Sequence, residues 1–335
     1  MKKIQKDTRI DFVVTWVDGS DPKWLQEKAK YDQNLAGWEN SPIRYRDWGT
    51  VKYWFRALER NAPWVNHVYF VTYGHTPKWL KTNKYVTVVK HSDFIPAEFL
   101  PTFNSNSIEL NLHKINGLED HFVYFNDDVF LNAPVKQTDF FKGDMPTASA
   151  GFDCIRGEYN KKYADINNAK VLNGHFRKSQ ILKKNYKKIL SIKNGKFLMK
   201  TLLLMPWGEI TGMAETHTYF SYRKKDFEKL WKMEPLALYD TCKNRIRGVE
   251  DVNHWLIKDW YICEGDFYPK TPNFGKSFTE RITKKITDDI KNSKHKIICI
   301  NDYECSQEEF EEDRLRLISE FDKKYPDKSK YETGE

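Results

Sequence analysis

The sequence predicts an α/β fold built on a mostly parallel, Rossmann-like sheet and interrupted by a basic helical insert. Short β-branched and aromatic runs alternate with helical patterns, two strand ends carry carboxylates, and residues 177–208 hold nine Lys or Arg and no acid.

The elements follow in order. Residues 9–18 (RIDFVVTWVD) read as a strand that stops at the turn formers Asp18-Gly19-Ser20-Asp21-Pro22. Within 48–60, Val51, Trp54, Phe55 and Leu58 take the spacing of an amphipathic helix, ending near Asn61-Ala62-Pro63. Residues 65–73 form a second strand closed by Gly74, and 86–89 a third. A helix is expected at 109–117, and Phe122-Val123-Tyr124-Phe125 makes a fourth strand ending in Asn126-Asp127-Asp128. Further helices are expected at 226–231, 251–260 and 307–321. The chain is read as two catalytic halves, 1–152 and 209–335, separated by an insert at 153–208. In parallel sheets, ligands bind beyond the carboxyl ends of the strands, which points to the ends of the first and fourth.

Composition excludes several classes. With 335 residues, 55 Lys+Arg against 47 Asp+Glu and 15% aromatics, the chain is a folded protein rather than a disordered one. Its longest run free of Asp, Glu, Lys and Arg, 61–77, carries two His, two Pro and a Gly, so no span of a bilayer is expected. The start is basic without a following apolar core, and export is not expected. Five cysteines without a C-x-x-C pair argue against a disulfide framework or a cysteine zinc site, and fit a reducing cytoplasm. Net charge of +8 is compatible with nucleic-acid binding, but no recognition motif is present and acids alternate with bases over most of the chain, so no nucleic-acid partner is expected.

Several groups are candidates for chemistry. Asn126-Asp127-Asp128 offers hard oxygen donors suited to Mg2+ or Mn2+, though adjacent acids on an extended backbone face opposite ways and the same residues also make turns. The Asp18-Gly19-Ser20-Asp21 loop adds carboxylates, with the same turn alternative. Arg44-Tyr45-Arg46-Asp47 supplies guanidinium forks that match phosphate oxygens, or simply a solvated surface. His217, in the polar stretch Glu215-Thr216-His217-Thr218-Tyr219, suits a general base. Arg247, before Gly248-Val249-Glu250-Asp251, suits a phosphate at a helix mouth, or is a capping neighbour of Asp251. The 177–208 stretch fits an anionic membrane or polymer, or a solvated hairpin packed on the core.

Taken together these stretches resemble the Stealth family of sugar-1-phosphate transferases, which includes bacterial capsule and cell-surface polysaccharide phosphotransferases and the lysosomal-enzyme N-acetylglucosamine-1-phosphotransferase. The resemblance rests on four blocks in order. The first is Asp11 to Pro22 (DFVVTWVDGSDP). The second runs from Arg44-Tyr45-Arg46-Asp47 through 58–65, 71–74 and Leu100-Pro101-Thr102-Phe103-Asn104-Ser105 to Asp128-Val129. The third runs from His217 to Arg247 and Glu250-Asp251, with Tyr219 where the pattern has proline; the fourth joins Ile300-Asn301-Asp302 to 326–329. The resemblance implies a nucleotide-sugar fold akin to the GT-A glycosyltransferases. It implies catalytic roles for Asp128, His217 and Arg247, and donor contacts from Trp16, Asp18, Gly19, Arg44, Asn104 and Ser105. A Mg2+ or Mn2+ ion would lie at Asp127, Asp128 and Asp251. The implied reaction moves a hexose- or N-acetylhexosamine-1-phosphate from a UDP-sugar to an acceptor glycan or lipid-linked oligosaccharide and releases UMP. A conventional glycosyltransferase would release UDP instead. The expected location is cytoplasmic, with a peripheral contact on the inner face of the plasma membrane through 177–208.

Overall fold

The first apolar run becomes β1 (Ile10–Thr15), buried along nearly its whole length. The computed structural model describes residues 9–31, 41–155 and 163–333. Next come α1 (Pro22–Ala29), capped by the Asp21 carboxylate on the Trp24 N–H at 2.8 Å, then α2 (Val51–Asn61), β2 (Val68–Thr72), β3 (Val86–Lys90), α3 (Ser105–Leu110) and β4 (His121–Asn126). They are followed by β5 (Val129–Leu131), β6 (Phe141–Lys142), β7 (Met145–Ala148), and the helices α4 (Tyr163–His175), α5 (Lys178–Ile189) and α6 (Lys196–Leu204). The chain continues through β8 (Phe220–Arg223), α7 (Lys224–Met233), α8 (Pro235–Lys243), α9 (Trp255–Glu264), β9 (Tyr268–Pro269), β10 (Gly275–Phe278), α10 (Lys284–Asn292), β11 (Ile297–Ile300) and α11 (Gln307–Lys324).

The central sheet has the order β3-β2-β1-β4-β8; its first four strands are parallel and β8 is an antiparallel edge. Strands covered on both faces read as continuous apolar runs, and successive residues feed opposite cores. Phe12 and Val14 join one core with Trp54, Leu58, Ile286 and Phe321, whereas Val13 joins another with Leu110, Phe227, Leu238 and Leu256. The path goes from β1 outward to β2 and β3, then returns to β4 on the other side of β1, which makes the β1–β4 seam the topological switch point. There, crevices open at the carboxyl ends.

A second sheet, β10-β11-β5, lays β11 antiparallel to β5 directly after the Asn-Asp-Asp turn. Several sequence boundaries shift for local reasons. The helix expected at 109–117 is α3 at 105–110, because Asn104 caps it through the Asn106 N–H at 3.0 Å, and a 3-10 turn follows at 112–114. The helix expected at 251–260 begins only at Trp255, after a turn in which the Asp251 N–H reaches the Gly248 carbonyl. The acidic helix starts at a Ser306/Glu309 capping box and runs on to Lys324. None of the strands β5 to β11 has a counterpart in the sequence reading.

The basic stretch is helical and packs by one face only. Ile181, Ile189, Phe197 and Thr201 are buried, and Asn194 ties the α5–α6 corner to the Ala150 N–H at 3.1 Å and to the Lys188 and Ile189 carbonyls at 2.9 Å.

Phe12 is fully buried against Phe125, Phe140 and Trp64, with ring centroids 4.9–5.6 Å apart. Phe12→Ala is expected to destabilise the fold by about 3–5 kcal/mol in chemical denaturation; a loss under about 1 kcal/mol would remove β1 from the role of core strand.

Candidate active site

Six parallel rungs, Ile10↔His121 to Thr15↔Asn126, deliver the ends of β1 and β4 to the same rim. Beyond β4 the backbone turns at Asp127 and Asp128 instead of staying extended, so the two carboxylates are not forced to opposite faces. Beyond β1, Trp16 stacks on Phe70 and meets His75 edge-on, while the Asp18 N–H donates to His75 Nε2 at 2.8 Å and the Asp18 carboxylate accepts from the Ser20 N–H and hydroxyl at 2.9 and 2.6 Å. A Cβ on Gly19 would stand 1.8 Å from the Tyr45 carbonyl oxygen, so only glycine lets this loop lie against the 42–45 turn. The Arg44 side chain lies outside the described residues.

The rim is acidic. Burial pushes the Asp127 carboxyl well above its ordinary range, and Asp128 and then Asp47 push it further; Asp47 is itself raised by burial, with Asp18 adding to the shift. Asp128 is likewise raised by burial, against the opposing pull of His217 and the Cys299 thiol. The Asp128 Oδ1 atom is buried and has no hydrogen-bond partner among the described residues, while Oδ2 accepts from Cys299 Sγ at 3.5 Å. A cluster of poorly compensated carboxylates with a vacant oxygen is suited to a divalent cation. One ligand atom from each of Asp128, His217 and Cys299 lies within 4.8 Å of the other two.

His217 is held from behind. Its φ of 47° is in the left-handed region, and the Glu215 carboxylate fixes that conformation by accepting from the Thr216 and His217 N–H groups at 2.6 and 2.9 Å. Glu215 is in turn paired with buried Lys258, which also donates to the Ala214 carbonyl at 3.0 Å. Burial opposes the Glu215 charge, but Lys258 and the backbone donors outweigh it and hold its carboxyl below the usual value. The ring packs edge-on against Trp255.

Arg247, Asn104, Ser105 and Asp251 come together as a second group. The Arg247 guanidinium donates to the Ser105 hydroxyl. Asp251 accepts from the Asn104, Asn106 and Asn244 side-chain amides at 2.8, 3.3 and 2.7 Å and from the Gly248 N–H at 3.0 Å. With four N–H donors on its two oxygens, Asp251 anchors the Arg247 loop. Since α9 starts at Trp255, Arg247 does not lie at a helix mouth. The two groups flank His254, whose pKa is driven well below normal by burial first and then by His217, Lys258 and Arg247. Under them the Tyr124 hydroxyl lies 3.1 Å from Glu109, 2.5 Å from Asn126 and 2.9 Å from Thr15.

Arg46 is not a phosphate clamp. Its guanidinium grips Asp302 through two nitrogens, donates to the Tyr303 carbonyl at 3.0 Å and stacks on Phe310, which fastens the 42–46 turn to the fourth block. Sequence reasoning missed Asp47, His75 and Cys299 as site residues. The Asp47 signal was its place beside Arg46; Cys299 carries no local signal, because it reaches Asp128 across 171 residues.

The raised Asp127 carboxyl favours the folded state fully below the ordinary value of 3.8, and that contribution is lost as pH rises through the folded value. Metal-free protein is therefore expected to lose stability relative to Asp127→Asn as pH rises from 3.8 through the folded value, and Mn2+ to restore more of it at higher pH. Calorimetry on the two proteins across pH measures this; a difference that grows in favour of the wild type would refute it.

The Stealth protein CR1 model, conserved region 1, matches residues 8–36 and the CR2 model, conserved region 2, matches residues 44–148. Among curated proteins, the capsular polysaccharide phosphotransferase WcwK of Streptococcus pneumoniae is 43% identical over 97% of this chain and 98% of its own. The receptor polysaccharide phosphotransferase WefC of Streptococcus gordonii is 38% identical over 97% and 99%. Among solved structures, the galactosyltransferase LgtC in complex with donor and acceptor sugar analogs covers 91% of this chain at 10% identity and a TM-score of 0.35, a likeness that carries no argument here. Identity of 38–43% to these phosphotransferases over 97% of the chain, with conserved regions 1 and 2 matched in order, makes this chain a member of the Stealth family.

Proposed function

We propose that the chain transfers a sugar-1-phosphate, of hexose or N-acetylhexosamine type, from a UDP-sugar to a hydroxyl of an acceptor glycan or lipid-linked oligosaccharide in capsule or cell-surface polysaccharide synthesis. The observation that carries the reading is the meeting of the Asp128 carboxylate with the His217 imidazole at the switch point. The names of the full-length relatives support it.

The acceptor oxygen attacks the sugar-bearing phosphorus, the bond from that phosphorus to the bridging oxygen breaks, and UMP leaves with the bond's electron pair. His217, held by Glu215 and Lys258, takes the hydroxyl proton. Arg247 offsets negative charge on the transferred phosphoryl oxygens, with Ser105 and the Asn104–Asp251 anchor fixing its loop. Trp16, Asp18 and Gly19 line the donor side, to which the family resemblance adds Arg44. A Mg2+ or Mn2+ ion, held by Asp127 and Asp128, would neutralise diphosphate charge; Asp251 orients the Arg247 loop rather than the ion. In this reading 1–152 and 209–335 form one catalytic body and 153–208 a module added to it. Phosphoryl-type transfer relies on positioning and charge stabilisation, which this arrangement supplies.

The test is incubation with a panel of UDP-sugars and acceptor glycans, with UMP and UDP separated and the product read by phosphorus NMR. A phosphodiester and UMP are expected; UDP with a plain glycoside would replace this reading with conventional glycosyl transfer. His217→Ala is expected to lose about 100- to 10,000-fold in kcat with donor KM little changed, and near-wild-type turnover would remove His217 from the mechanism.

We also propose a cytoplasmic-side membrane contact through 177–208. Met199, Leu202 and Leu203 repeat at i, i+3, i+4 on the outer face of α6, opposite buried Phe197 and Thr201, and Ile192 and Trp207 extend the stripe; Ile192 is 87% and Leu203 71% exposed. Lys193, Lys196 and Lys200 border it; Asp153 pairs with Lys200, and Glu209, beyond Trp207, pairs with Arg177. Among the described residues no helix is long and apolar enough to cross a membrane, so the stripe suits interfacial seating, with each nearby Lys adding about 1 kcal/mol on an anionic leaflet. Leu203→Asp/Trp207→Asp is expected to abolish co-sedimentation with anionic vesicles while leaving transfer to a water-soluble acceptor intact; binding equal to wild type would eliminate the contact.

A further inference from the structure

We infer that Asp128, His217 and Cys299 form a binding site for a thiophilic divalent cation of the Zn2+ class, sharing Asp128 with the hard-cation position at Asp127 and Asp128 but differing from it in donor chemistry, and that its occupation switches the enzyme off. A carboxylate oxygen, an imidazole nitrogen and a thiol sulfur are donors for a borderline or soft ion, whereas Mg2+ selects oxygen and water.

Three independent observations converge on these atoms. The donors lie within 4.8 Å of one another, and a Zn2+ ion with bonds of about 2.0–2.3 Å draws such donors to separations of about 3.3–3.8 Å, a closure that side-chain rotation covers. The Asp128 Oδ1 atom is buried without a partner and supplies an oxygen that no protein group claims among the described residues. The backbone holds all three residues in place: the Ile300 N–H donates to the Asp128 carbonyl at 2.9 Å, Cys299 pairs with Val129 across β11 and β5, and Glu215 clamps the His217 N–H. A preformed donor set lowers the ordering cost of binding. Cys299 has no solvent-exposed surface, and the partly exposed His217 and Asp128 are the route of entry.

The deduction about turnover rests on the reading of His217 as the base. A metal-bound imidazole has no lone pair left for the acceptor proton. Binding releases the thiol proton, so affinity for the soft ion rises with pH.

Co2+ serves as the probe in place of Zn2+, with no sugar substrate present. Titration of the full chain is expected to give a thiolate-to-cobalt charge-transfer band that saturates at one equivalent, is abolished by an equivalent of Zn2+ and persists in excess Mg2+. The band is expected to survive Cys154→Ser, which alters an exposed cysteine elsewhere, and to vanish in Cys299→Ser. His217→Ala, which keeps the thiol, is expected to weaken Co2+ binding by at least about tenfold; it covers the case in which Cys299→Ser fails to fold. Absence of a thiolate band, a band that remains in folded Cys299→Ser, displacement by Mg2+, or unaltered affinity in His217→Ala overturns the site. These arms do not depend on the transfer reaction, so they stand or fall apart from it. Once a turnover assay is in hand, full activity in protein whose band is saturated overturns the inhibitory role alone.

Discussion

Parallel pairing of β1 with β4 is the constraint on which everything else depends. It aligns Thr15 with Asn126, so the chain leaving β1 and the chain leaving β4 emerge side by side where the strand order reverses. Were the two strands antiparallel, Asp18 and Asp127 would stand at opposite ends of a roughly 20 Å strand, and the acidic rim would not exist. Asp47 and His75 are added from the segments that connect β1 to β2 and β2 to β3, Cys299 from β11, and His217 from the approach to β8.

The same seam explains the electrostatics. Four carboxylates, of Asp18, Asp47, Asp127 and Asp128, act on one another in sequence, and the nearby Arg46 guanidinium is engaged by Asp302. The fold keeps this unbalanced charge because two large cores flank the sheet and supply the stability that the rim subtracts. Arg314 offsets only part of the shift at Asp47, where burial and Asp18 prevail, while Arg247 is engaged by Ser105 and Lys258 steadies His217 through Glu215. A cation or a proton is then drawn to the rim rather than a neighbouring side chain.

Much of the fold was legible because parallel strands buried on both faces leave runs such as FVYF and VYFVT, and turn formers mark their ends. The Asn-Asp-Asp motif stood out for the same reason. What local pattern did not carry was long-range. Nothing near Cys299 announces Asp128, and nothing near Glu215 announces that Lys258 will fix a left-handed His217. Asp251 entered as a metal ligand only through the family resemblance; three side-chain amides and a backbone N–H converge on it once the chain is folded, a convergence that no local pattern announces. Helix α6 was ambiguous for another reason: it is apolar on both sides, so periodicity could not separate the face that packs from the face that does not.

That two-sided helix has a consequence for handling the protein. Apolar side chains as uncovered as Ile192 and Leu203 attract one another in water as readily as they attract any other oily surface. Copies concentrated in plain buffer will meet through α6 first. A mild detergent or a lipid nanodisc during purification covers the stripe, and the particle size then reports on the catalytic body instead of on clustering.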